Sequence, residues 1–88
     1  MTDLAGALRS HSVHDPYVLV FGPDNPDLPG RYVVRVMLAV PEDRPVDRVW
    51  TASSLERARG MVPAALVRRP RVRTTPRPGL VEQWELPR

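Results

Sequence analysis

Five arginines, Arg68, Arg69, Arg71, Arg73 and Arg77, crowd the stretch VRRPRVRTTPRPG near one end of this 88-residue chain. Guanidinium groups at that density can track a phosphate backbone, each neutralised phosphate releasing counterions so that affinity falls with salt. Trp50, Trp84, Tyr17 and Tyr32 are the rings on which bases would stack. Two observations weigh against that reading. All 13 basic residues are arginine, isoleucine is absent and there are 11 prolines, the usage that a GC-rich bacterial genome imposes through its codons. No aromatic RNP pattern, GXXG loop or helix-turn-helix accompanies the arginines either. A solvated Arg/Pro loop over 67–79 is the preferred reading, and nucleic-acid or anion contact through 68–77 is the alternative. The charge is nonetheless uneven. Residues 1–63 carry seven Arg against eight acids and residues 64–88 six against two, so the net charge of +3 arises wholly in the C-terminal segment.

Glu82 alternates with Leu80 and Trp84 along an apolar pattern, which puts a carboxylate on what should be a core face. A buried carboxylate needs a cation, and Arg35 or Arg48, each flanked by apolar residues, could supply a bidentate ion pair that fixes strand register. A general acid or base at Glu82 would need a second catalytic group, and the sequence places none beside it. His11 and His14, followed by Asp15, have the spacing of two metal ligands on one helical face, but they fall in a polar segment that nothing in the sequence anchors. Asp24-Asn25-x-Asp27 resembles part of a calcium loop without the ligands that complete one, and turn chemistry accounts for it. There is no cysteine, no G-x-S-x-G elbow around any serine, and no pair of neighbouring glycines to cradle a phosphate. The expectation is a protein without catalytic activity, metal or cofactor.

Patterning supplies the elements that would position these groups. Residues 1–15 have a weak apolar start with no evident cap and read as a mobile arm, so the domain is expected over 16–88. Tyr17–Phe21 is a strand, apolar on both faces and bounded by Asp15-Pro16 and Gly22-Pro23. Gly22–Gly30, with three prolines, is a loop, Arg31–Val40 a long second strand and Val46–Thr51 a third. Ser53-x-x-Glu56 forms a capping box for a short helix whose stripe Leu55, Ala58, Val62, Ala65 and Leu66 faces the sheet and which Pro63 ends near Val62. A short edge strand at most fits around Arg71–Thr75, and Leu80–Leu86 closes the fold.

The order β-β-β-α-β defines a small α+β domain, an antiparallel sheet of three to five strands with one short helix on one face. One short helix covers one face, whereas the first two strands are apolar on both. A bare apolar face is unusual on a monomer, so a homodimer, sheet against sheet, or another protein partner is expected to cover it, the alternative being the N-terminal arm or the 22–30 loop folding back. No apolar run approaches the roughly 20 residues of a membrane span, and nothing in Met1–Ser10 resembles a signal peptide, so a cytoplasmic location is expected. The function expected is that of a small self-associating or protein-binding accessory module.

Overall fold

A computed structural model describes residues 3–69 and 77–87. The elements follow the order α1 (Leu4–Ser10), β1 (Pro16–Phe21), β2 (Tyr32–Leu38), β3 (Arg44–Ala52), α2 (Leu55–Met61), β4 (Val67–Arg68) and β5 (Leu80–Glu85), with a 3-10 turn at Ser12–His14. All strands join one antiparallel sheet in the order β3-β2-β1-β5-β4. This is the α+β architecture expected, with α2 packed on one face. β1 occupies the centre, apolar on both sides and with each of its six residues buried. The two-residue β4 pairs with β5 through Val67 opposite Glu85 and Arg68 opposite Trp84. The edge strand expected around Arg71–Thr75 lies outside the described residues.

The first face carries Val18, Val20, Val34 and Val36 beneath Ala58, Val62 and Leu66, and Trp50 and Trp84 pack at its margins. Leu4, Ala7 and Leu8 of α1 belong to the same cluster. The segment read as an arm is therefore a helix with a buried stripe, and it does have a cap. The Asp3 carboxylate accepts the Gly6 N–H at 2.7 Å. The backbone of His14 then ties the segment to the sheet, its carbonyl accepting from the N–H groups of Ala39 and Val40. β2 consequently stops at Leu38, short of the Val40 expected.

The cap of α2 falls one residue later than the capping box implies. Ser54 accepts the Arg57 N–H at 3.1 Å while Ser53 is exposed. This register leaves Glu56 in the first turn, where a negative charge complements the helix dipole. It also buries Ala58 completely. The helix ends at Met61, before Pro63, and the turn that follows buries Leu66 but leaves Ala65 exposed, so Ala65 drops out of the expected stripe.

The second face is closed within one chain. Tyr17, Leu19, Phe21, Val33 and Met37 are all buried there, Leu19 and Met37 completely, with Ala39, Val49 and Leu80 packed against them. The bare apolar face that motivated a sheet-to-sheet dimer is not present, which removes the ground of that expectation. A bulge explains why Leu80 sits on this face and Glu82 on the other. Val20 is opposite Glu82 and Phe21 opposite Leu80, so Val81 is an extra residue in β5, and uniform alternation of Leu80, Glu82 and Trp84 does not hold. β3 carries a second irregularity, in which Val46–Arg48 lie between the pairs Arg35–Val49 and Met37–Pro45. A bulge beside a proline on an edge strand hinders pairing with another chain.

The loop between β1 and β2 is organised by one buried amide. Asn25 is 3% exposed, and its Nδ2 donates to the carbonyls of Gly22, Leu28 and Arg31 while its Oδ1 accepts the Leu28 N–H at 2.6 Å. Gly79, at φ +81°, closes against this loop, accepting the Gly22 N–H at 2.7 Å. The pattern at Asp24-Asn25-x-Asp27 is thus turn chemistry, with Asn25 as its hub.

Candidate binding groove

The charged groups singled out in the sequence sort into three places. On the first face Glu82 is buried at 5% exposure, and Arg59 and Arg68 converge on its Oε2. The Arg59 Nε donates at 2.9 Å and the Arg68 Nη1 at 3.1 Å, while the Trp84 indole N–H donates to Oε1 at 3.2 Å. Burial pushes the Glu82 carboxyl up, but the hydrogen bonds from Arg59, Arg68 and Trp84 outweigh it and hold the group below the ordinary glutamate range. The cluster ties α2, β4 and β5 together with every buried polar atom satisfied. Glu82 is therefore an ion-paired carboxylate as expected, with different partners. Arg35 points to the opposite face, since it pairs with Leu19 while Glu82 pairs with Val20. Arg48 sits on edge strand β3, three strands from β5 and so about 14 Å away at ordinary strand spacing. Its guanidinium lies 5.5 Å from the centroid of the Trp50 ring instead.

The described arginines of the basic segment, Arg68, Arg69 and Arg77, are held in different places. Arg68 is held by Glu82 and Arg69 by Glu85, the latter at 3.0 Å. A guanidinium bound to an internal carboxylate is a poorer phosphate ligand, because it must surrender a charge-assisted bond first. Arg71 and Arg73 lie outside the described residues. Arg77 is separate again and faces the groove described next. His11 and His14 have ring centroids 6.3 Å apart, tilted by 43°, and the His14 Nδ1 is 3.2 Å from the Val40 carbonyl. Among the described residues no three His, Cys, Asp or Glu side chains gather where they could hold a metal.

The third place is a groove of about 370 Å³ on the second face. Phe21 and Val33 are its apolar base, Asn25–Asp27 and Arg77–Pro78 form one end, and Arg35 and Pro45 extend it toward edge strand β3. Each part has a local cause. The Asn25 hub fixes the 25–27 corner, and the Gly22–Gly79 hydrogen bond brings the 77–79 turn beside it. The pairing of Leu19 with Arg35 sends the Arg35 side chain to the same face as Phe21 and Val33. Arg35 and Arg77 are both partly buried, and neither has an ion pair among the described residues. The volume lies within the range of small-ligand and side-chain binding sites, roughly 300–1,000 Å³. What the groove can do is bind an anion with an apolar neighbour. Among the described residues it brings no nucleophile and base together.

Sequence reading found Arg77 and Arg35 but assigned them to a loop and to an ion pair. It missed Arg59, whose place on an outward helix face gives no sign of a carboxylate 23 residues later. Comparison of the chain with protein-family models, with curated proteins and with solved structures finds no match.

Proposed function

We propose that this chain is a non-catalytic binding module, acting in the cytoplasm, that engages a protein partner through the Arg35–Arg77 groove. The observation that carries the reading is a contrast in pairing. Arg59, Arg68 and Arg69 are each bound to a carboxylate, whereas Arg35 and Arg77 are partly withdrawn from water in one groove without one. Asp27 lines the same groove but makes an ion pair with neither guanidinium, and an anion from outside that does so would compensate their lost hydration. With the apolar residues of the second face buried inside the chain, a partner has the groove to recognise rather than a bare sheet.

Mass by light scattering at low and high salt, with and without a mixed nucleic-acid pool, separates this reading from the nucleic-acid alternative. A species near the chain mass of 9.9 kDa at both salt concentrations, indifferent to the pool, is the expected result. A shift onto nucleic acid at low salt that high salt reverses would move the function to the basic 68–77 segment. A salt-insensitive dimer would restore self-association as the main activity.

A further inference from the structure

We infer that the groove receives a carboxylate from its partner, an aspartate or glutamate side chain flanked by apolar residues in an extended segment. The inference rests on the binding-module reading and names the chemistry of what binds. Arg35 and Arg77 line the groove from different elements, β2 and the turn before β5, so that one space has two arginines in its wall. The planar donor fork of a guanidinium matches a carboxylate bidentately in a way that a point charge does not. Phe21 and Val33 line the same space, with Pro26, Pro45 and Pro78 around them, and these offer contact to apolar neighbours of the anion.

Asp27 decides between a carboxylate and a phosphate strand. It lines the groove yet makes no ion pair with either arginine. Its charge opposes the successive phosphates of a nucleic acid, while a peptide brings one carboxylate together with backbone N–H groups that Asp27 can accept. Placement favours a peptide over a small free acid. The groove runs out to Pro45 on β3, the outermost strand in the order of the sheet, so a segment seated in it can leave past Pro45 without pairing with the β3 edge.

Amide-resolved NMR titration of the full chain tests this with four probes: a blocked tripeptide with aspartate between two leucines, its asparagine counterpart, inorganic phosphate and a short single-stranded oligothymidylate. The aspartate peptide should move the amides of Asn25, Val33, Arg35 and Gly79 saturably. The asparagine peptide should bind about tenfold more weakly or worse, because it lacks the charge-assisted bonds. Arg35→Gln should abolish the response and Arg35→Lys restore only part of it, since lysine has charge without the fork. Arg77→Gln provides the same test should Arg35→Gln lose its native spectrum. Tighter binding of phosphate or oligothymidylate at these amides would overturn the carboxylate assignment while leaving the groove a binding site. Indifference of the groove amides to all four probes at millimolar concentration would overturn the assignment and the binding-module reading together.

Discussion

Replacing Arg59 and Arg68 together with alanine is expected to lower folding stability at pH 7 and to reverse the contribution of Glu82 to the response of stability to acid. In the native protein both guanidiniums hold the Glu82 carboxylate, whose side chain is 4% exposed, and its pKa lies below the ordinary value. A carboxyl with a depressed folded pKa contributes stability above its unfolded pKa of about 4.3, and that contribution is lost as pH falls through the folded value. With both arginines removed, the indole N–H of Trp84 remains and burial dominates, so the folded pKa moves above the unfolded one. The contribution of Glu82 is then greatest in acid and is lost as pH rises through the raised pKa. Chemical denaturation at a series of pH values checks this. Parallel pH profiles for the variant and the parent would mean that the cluster is solvated and contributes little. Either single variant should cost less, because Arg59 and Arg68 side chains are about half exposed and one remains to pair with Glu82.

Gly79→Ala is the second substitution expected to damage the fold severely, by about 2–4 kcal/mol. Its backbone stands at φ +81°, and a Cβ there would lie 2.7 Å from the Asn25 nitrogen and 2.8 Å from the Asn25 Cα. Those are backbone atoms of the loop hub, so the clash cannot be relieved by turning a side chain. Relief would mean parting the 77–79 turn from the 22–31 loop and giving up the Gly22–Gly79 hydrogen bond. Gly30→Ala is the internal control. Gly30 has φ +86° but open space around its Cβ position, so it should show the conformational cost alone, roughly 1–2 kcal/mol. Equal losses for the two variants in urea unfolding would show that the contact with Asn25 does not hold the loops together.

Both substitutions probe features that differ in how far the sequence reveals them. The strand character of β1 and β2, the turn chemistry of 22–30 and the helix before Pro63 are all written in local composition, which is why the α+β class and the order of its main elements could be read directly. Glu82 could be read as buried because it interrupts an apolar strand. Its partners could not, since β-bulges at Val81 and Val46–Arg48 shift faces in ways that alternation does not encode. The same limit hid the closure of the second face. Sequence counts apolar positions on each side of a strand, but what covers them depends on which segments return across the sheet. Helix α1 was obscured for a simpler reason, namely that its cap, Asp3, stands so near the start of the sequence that the apolar positions of Leu4, Ala7 and Leu8 look too few to matter. For the groove, the residues were visible individually. Their convergence required the register of β2 against β1 and the Asn25–Gly79 contact.

The central claim is that Arg35 and Arg77 are retained for a ligand rather than for the fold, and urea unfolding of the Arg35→Gln/Arg77→Gln double variant at pH 7 tests it most directly. Glutamine keeps much of the side-chain stem and removes the charge. Residues held for binding are neutral or costly to stability, so the account predicts a free energy of unfolding within about 0.5 kcal/mol of the parent, or above it. A loss of about 2 kcal/mol or more would contradict it, placing both arginines among the groups that hold the sheet together.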